Sequence, residues 1–152
     1  MEIEEGVVKT DRHTTAYLAC GPQSGRRIYF IHGWPELSLS WRHQLKILGG
    51  MGFRAIAPDM RGYGKSSFYG AHEDYSQRHV VKDMLDLHQS TGEGPAVWVG
   101  HDWGSPVVWN MALHHPELVH AIASLCVPMG FEEGVEALIP YVNRDIYPED
   151  EF

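Results

Sequence analysis

One short stretch constrains this chain more than any other: an apolar run, Ala96–Val99, that breaks at Gly100 and resumes as a helix-forming segment after Asp102. The pattern predicts a strand, a sharp turn and a helix, with Asp102 at the apex. Gly100 and Gly104 flank the apex two positions away on either side. A turn that tight leaves no room for large side chains. We therefore expect the strand and the helix to approach each other closely.

The segment after the turn predicts a buried helix. Pro106 falls in its first turn, where the missing backbone N–H of proline costs nothing. Apolar residues follow on almost every side of the helix: Val107, Val108, Trp109, Met111, Ala112 and Leu113.

The spacing Gly100-x-Asp102-x-Gly104 is that of a G-x-S-x-G nucleophile elbow with aspartate in place of serine. An aspartate is ionised at neutral pH and, unlike a serine, needs no base to attack. Its natural target is a saturated carbon with a strained or good leaving group, because the product is an ester that water later cleaves. The alternative is an ordinary turn in which Asp102 only caps the helix.

The composition and net charge of the chain indicate how many domains it forms and which partners it does not bind. The 152 residues, 43% of them hydrophobic, suit one globular domain. A formal charge of −8 argues against nucleic acid or an anionic membrane as a partner. The N terminus is acidic where a signal peptide is basic, and no apolar run reaches membrane-spanning length, so we expect a cytoplasmic protein.

Neither cysteine nor histidine spacing indicates a metal. Cys20 and Cys126 are too few and too far apart for a disulfide framework or a metal knuckle. The ten histidines lack the spacing of a metal site. We expect no metal and no cofactor.

Apolar strand and helix patterns alternate along the chain, which predicts an α/β fold with a mostly parallel sheet and helices on both faces. An antiparallel hairpin, Ile3–Thr10 with Thr14–Ala19, precedes the alternation. The predicted parallel strands are Ile28–Ile31, Phe53–Ala57, Ala96–Val99 and Ala121–Val127. One predicted helix carries Leu37, Trp41, Leu45 and Leu48 on one face, and a second covers Ser76–Gln89.

A second loop of interest, His32-Gly33-Trp34-Pro35, follows the first parallel strand. Parallel sheets bind ligands beyond the carboxyl ends of their strands, where this loop and Asp102 both lie. Gly33 permits an unusual backbone angle and Pro35 fixes the loop, so the Trp34 N–H can face a cavity. With the Trp103 N–H it would form an oxyanion hole. The alternative is a plain strand-to-helix turn.

Three motifs occur in order, each after a strand: HGWP, DMRGYGKS and GHDWGS. Together they resemble the epoxide hydrolase branch of the α/β-hydrolase fold. The resemblance implies that Asp102 is the nucleophile and that the backbone of Trp34 and Trp103 forms the oxyanion hole. It also implies that Trp34, Trp103, His32 and Pro35 bind substrate, that Trp34–Pro35 is a cis peptide, and that no cofactor is needed.

By that resemblance the substrates are a small-molecule epoxide and water. Asp102 attacks an epoxide carbon, and a histidine-activated water hydrolyses the ester to a vicinal diol. Members of the family are about twice as long, and their acid and histidine follow a lid. We expect residues 1–128 to be a partial core domain, residues 129–152 to begin the lid, and the acid and base of the triad to lie outside this chain, which alone should be inactive.

Other histidines do not replace the missing base. Helical rise carries His114, His115 and His120 beyond hydrogen-bond reach of Asp102. Arg61 and Lys65 are more simply a local ion pair and a solvated loop charge than substrate contacts.

Two alternatives to this function remain. Haloalkane dehalogenases share the aspartate elbow, although they typically carry asparagine at the position of Trp34. The chain could also be a truncated, non-catalytic protein with the hydrolase fold. If Ala121–Val127 is the last strand of this chain, we expect it to form an exposed apolar sheet edge through which the chain self-associates.

Overall fold

The computed structural model describes residues 2–127. These residues form a six-stranded sheet with the order β1-β2-β4-β3-β5-β6. The strands are β1 (Glu4–Lys9), β2 (Thr14–Cys20), β3 (Arg27–Ile31), β4 (Arg54–Pro58), β5 (Ala96–His101) and β6 (Val119–Leu125). The helices are α1 (Arg42–Gly50), α2 (Gln77–Thr91) and α3 (Gly104–His114), with short 3-10 turns at Ser38–Trp41, His72–Tyr75 and Pro116–Leu118.

The sheet is mostly parallel, as predicted. β1 and β2 form the expected antiparallel hairpin, from the pair Glu4 and Ala19 to the pair Lys9 and Thr14. β2 is also antiparallel to β4, whereas β4, β3, β5 and β6 pair in parallel. β3 and β4 are buried at every position, which explains why both sequences are apolar after the arginine that begins each strand.

Helices cover both faces of the sheet, which confirms the predicted α/β layering. One core cluster joins the sheet to α2 and α3 through residues such as Met84, Leu87 and Val107. The other joins the opposite face to α1 through Leu45, which is fully buried with Phe30. The carboxyl ends of β3 and β5 thus lie side by side between the two layers.

The predicted start of the first helix is wrong. α1 begins at Arg42, and Leu37, expected on its buried face, is 42% exposed. The intervening turn is held by a contact from elsewhere in the chain, because the Ser38 N–H donates to Oδ1 of Asp59 at 3.0 Å. Asp59 directly follows β4, so the end of that strand determines the backbone before α1.

α3 is only partly buried, which corrects the prediction of burial on all sides. Val107, Val108 and Met111 are fully buried, but Leu113 is 71% exposed. Among the described residues, α3 packs mainly against β5 and β6. Its far side therefore faces away from the core.

A buried ion cluster around Asp83 joins α2 to two loops. The guanidinium of Arg61 donates to both carboxylate oxygens, at 2.8 and 2.9 Å, and Arg12 Nη1 lies 2.6 Å from Oδ1. Arg61 therefore forms a structural ion pair with Asp83, as predicted. Lys65 is a mostly exposed loop charge that pairs with Glu5 at 2.6 Å.

β6 lies at one edge of the sheet and pairs with β5. Ala121, Ala123 and Leu125 are exposed. Of the helices within residues 2–127, none is both long enough and apolar enough to cross a membrane.

Candidate active site

Asp102 stands at a strained turn between β5 and α3. β5 ends at His101, α3 begins at Gly104, and Asp102 has a φ of +51°. A non-glycine residue in this left-handed region is uncommon and often marks a functional site. The Ser105 N–H donates to the Asp102 carbonyl at 2.9 Å and closes the turn. This is the strand-turn-helix geometry of a nucleophile elbow.

The glycines around the turn allow the predicted close approach of strand and helix. A Cβ on Gly100 would lie 2.3 Å from the Gly104 carbonyl oxygen. A Cβ on Gly104 would lie 2.2 Å from the Ile31 carbonyl oxygen at the end of β3. Both distances are far below van der Waals contact, so larger residues would push α3 away from the sheet.

The loop after β3 reaches the Asp102 carboxylate through its backbone. The Trp34 N–H donates to Asp102 Oδ1 at 2.8 Å. A Cβ on Gly33 would lie 2.3 Å from the same oxygen and 2.7 Å from the backbone nitrogen of Trp103. Of the two nitrogens predicted to form the oxyanion hole, that of Trp34 thus donates to Asp102 Oδ1, and that of Trp103 lies beside Gly33 in the same turn. The Trp34–Pro35 peptide is cis, as predicted.

Three of the four residues predicted to bind substrate are exposed next to Asp102. Trp34 is 66% exposed and Trp103 is 45% exposed, and Pro35 is exposed beside them. Exposed indoles on adjoining loops form apolar surface next to a charged carboxylate. Such a surface suits an apolar substrate with one reactive polar group.

His32 does not fit the substrate contact predicted for it. Its ring is 1% exposed, its Nε2 accepts the Met60 N–H at 2.9 Å, and its Nδ1 donates to the Gly33 carbonyl at 2.9 Å. Burial lowers its pKa, which favours this neutral form. His32 therefore holds the loop after β3 against the loop after β4.

Sequence reasoning missed a pair that links the two loops. Glu36 Oε2 accepts from His101 Nδ1 at 2.9 Å and from the Gly33 N–H at 3.5 Å. The available signal was positional, because Glu36 directly follows HGWP and His101 directly precedes the nucleophile. The pair ties the oxyanion loop to the elbow.

Tyr63 is a second missed neighbour of the site. It packs edge-on against His32, with ring centroids 5.1 Å apart. Partial burial raises its pKa, and the negative charge of Asp102 raises it further. The loop after β4 thus brings a neutral phenol towards the nucleophile.

Other predicted features lie away from Asp102 or outside the described residues. His114 ends α3, whose 11 residues span about 15 Å, and His120 is exposed on β6. The predicted lid segment, 129–152, lies outside the described residues. Within residues 2–127, no three His, Cys, Asp or Glu side chains are arranged to hold a metal ion.

Comparison with known proteins identifies the fold family. A family model described as the alpha/beta hydrolase fold matches residues 26–146. The chain belongs to the alpha/beta hydrolase fold family. Among its curated relatives in this family, Epoxide hydrolase A from Mycobacterium tuberculosis is 42% identical over 124 residues, which are 82% of this chain and 38% of that protein. Epoxide hydrolase 2 from Siraitia grosvenorii is 40% identical over 145 residues, 91% of this chain and 45% of the relative.

Solved structures of proteins named epoxide hydrolases are also similar to this chain. A crystal structure of an epoxide hydrolase from Vigna radiata matches with a TM-score of 0.80 and 39% identity, over 84% of this chain and 39% of that one. This alpha/beta hydrolase chain thus spans less than half the length of these relatives.

Proposed function

We propose that this chain carries the nucleophile and the oxyanion hole of an epoxide hydrolase. The observation that carries the proposal is the 2.8 Å hydrogen bond from the Trp34 N–H to Asp102 Oδ1. A helix cap would direct its carboxylate to the N–H groups of its own helix. Here the carboxylate meets a donor from a separate loop, as an oxyanion hole requires. The epoxide hydrolase names of the relatives support the reaction class.

In the proposed first step the two carboxylate oxygens differ in role. The Trp34 N–H holds Oδ1, which leaves Oδ2 to attack a ring carbon of the epoxide. The new C–O bond forms as the ring C–O bond breaks, and the ring oxygen, an alkoxide still bound to the neighbouring carbon, takes a proton from a donor in the lid or, without the lid, from water. The product is an ester of Asp102.

In the second step water adds to the ester carbonyl carbon, and Oδ1 becomes the oxyanion. The N–H groups of Trp34 and Trp103 stabilise that charge where it develops. Collapse then breaks the bond between Cγ and Oδ2, the departing oxygen takes the proton that the histidine removed from the water, and the diol leaves while the carboxylate keeps the oxygen of the water. By family resemblance the histidine that activates this water and its acid partner lie outside residues 2–127, as do the lid tyrosines that donate a proton to the epoxide oxygen. The 152-residue chain alone should therefore stop at the ester.

The intact mass of the chain after long incubation with each substrate distinguishes an epoxide hydrolase from a haloalkane dehalogenase. With a styrene-oxide-type epoxide, we expect a mass gain equal to the whole epoxide. Positioned proton donation typically contributes about 10²–10⁴-fold, so labelling without the lid donors should be slow. We expect no label from a haloalkane of similar size. If only the haloalkane labelled the chain, the assignment as an epoxide hydrolase would be contradicted. If the chain released diol over multiple turnovers, the claim that its catalytic base lies outside these residues would be contradicted.

Self-association through β6 is a further part of the proposal. Its exposed Ala121, Ala123 and Leu125 form an apolar edge, and such edges pair with other chains. Sedimentation at micromolar concentration should show oligomers, and an Ala123→Lys substitution should reduce them because a charge disfavours edge pairing. A monomer that unfolds cooperatively would contradict this.

The cytoplasmic location stays a prediction from the acidic N terminus.

A further inference from the structure

A basic cavity lies apart from the Asp102 site, at the outer end of the sheet. It has a volume of about 280 Å³ and is lined by Arg12, Glu73, Ser76, Arg78, His79 and Lys82. Arg12 belongs to the turn between β1 and β2, and the other five belong to the start of α2 and the 3-10 turn before it. β4 and β3 separate this end of the sheet from β5 and the elbow.

The charge of this lining is opposite to that of the whole chain. Three permanent cations, Arg12, Arg78 and Lys82, face one carboxylate, Glu73, in a chain of net charge −8. Within residues 2–127, neither Arg78 nor Lys82 forms an ion pair or a side-chain hydrogen bond. Two cations in one cavity are therefore available to a ligand.

Arg12 is a fixed wall of the cavity. Its Nη1 lies 2.6 Å from Asp83 and its Nη2 lies 2.7 Å from Asp86. These two carboxylates neutralise the positive charge of Arg12 and hold its guanidinium in place. The free cations on α2 therefore face a preformed surface.

The start of α2 adds backbone donors to the same cavity. The side chain of its N-cap residue, Ser76, makes no capping hydrogen bond, and the first turn contains no acidic residue. The first N–H groups of a helix need partners and favour an anion. Ser76, Arg78 and His79 line the cavity at this point.

We propose that this cavity binds a phosphate group, either inorganic phosphate or the phosphate of a small monoester. Guanidinium, ammonium and helix N–H groups are the donors that proteins use for phosphate. The volume holds a phosphate with several waters, since a water takes about 30 Å³. Glu73 repels an anion, so the ligand binds through Arg78 and Lys82.

Isothermal titration calorimetry of the full chain tests the site, with inorganic phosphate and glycerol 3-phosphate in separate titrations at constant ionic strength. We expect saturable binding that weakens at least about tenfold in the double variant Arg78→Gln, Lys82→Gln, because charge-assisted hydrogen bonds are lost. Tighter binding of the monoester would identify an esterified phosphate as the occupant, and equal or weaker binding would identify the free ion.

The matched control is the double variant Arg42→Gln, Lys46→Gln. These residues have the same spacing at the start of α1 but do not line the cavity. The control should bind phosphate like the unaltered chain. No binding by the unaltered chain, full binding by the α2 variant, or an equal loss in the control would overturn the proposal. Unchanged circular dichroism would show that both variants are folded.

Discussion

Trp34 and Asp102 are 68 positions apart in the chain, yet the backbone N–H of one donates to the carboxylate of the other at 2.8 Å. The contact joins loops at the ends of two neighbouring parallel strands, β3 and β5. It depends on close approach at Gly33, where a Cβ would lie 2.3 Å from Asp102 Oδ1. The geometry of the proposed oxyanion hole is thus sensitive to a single methyl group.

Gly33→Ala should impair covalent labelling of Asp102 by an epoxide. The added methyl group would displace either the carboxylate or the Trp34 N–H and so misplace Oδ2 for its attack on the epoxide, and a misplacement of about 1 Å can cost about 10²-fold in rate. The measurement is the rate of mass gain under single-turnover conditions.

Gly50→Ala is the matched control for that substitution. Gly50 ends α1, and a Cβ there would meet nothing within 4 Å. Its labelling rate should equal that of the unaltered chain. Equal rates for Gly33→Ala and the unaltered chain would show that the contact has no part in the chemistry.

Asp83→Asn should strongly destabilise the fold. Asp83 is 1% exposed and neutralises Arg61, so the amide would leave a buried guanidinium without its partner. Breaking a buried pair in this way costs about 3–5 kcal/mol. Asp86→Asn is the control, because that carboxylate is 23% exposed and, within residues 2–127, pairs with Arg12 alone, which predicts a loss of about 0–1 kcal/mol. Urea denaturation would measure both, and similar losses would contradict the central role of Asp83.

The free energy of unfolding should fall as the pH is lowered from about 7 to about 5. Burial lowers the pKa of His13, His32 and His88 below the ordinary value of 6.5. The unfolded chain therefore takes up protons before the folded one does. Their contribution to stability is complete above pH 6.5 and is lost as the pH falls towards the folded pKa values.

His88→Gln should make that pH dependence shallower. Glutamine does not titrate, and its amide can still donate to the Gly94 carbonyl, which His88 Nε2 contacts at 2.9 Å. The measurement is urea denaturation at a series of pH values. The same substitution at exposed His43 is the control. An unchanged slope in His88→Gln would rule out buried His88 as a source of the pH dependence.

The strands and the elbow could be predicted because their signals are local. Ala96–Val99 is an apolar run, and the glycines around Asp102 indicate a turn with no room for larger side chains. No predicted strand boundary differs from the boundary in the structure by more than two residues. The proximity of Trp34 to Asp102 followed from the rule that loops at the carboxyl ends of parallel strands meet.

Features that depend on distant partners could not be predicted in this way. α1 starts late because Asp59, 21 positions away, binds the Ser38 N–H. The cluster of Arg12, Arg61 and Asp83 unites three separate segments, and no periodicity in the sequence reports such a pairing. His32 was expected to contact substrate because it begins HGWP, yet its burial assigns it to loop anchoring.

Peptide mass mapping after epoxide labelling tests the central claim, that Asp102 is the nucleophile. The account predicts one adduct, on the peptide that contains Asp102, and none in Asp102→Asn, whose nearly isosteric amide should leave the circular dichroism unchanged. An adduct spread over exposed histidines such as His114 and His120, or one that persists in Asp102→Asn, would contradict it.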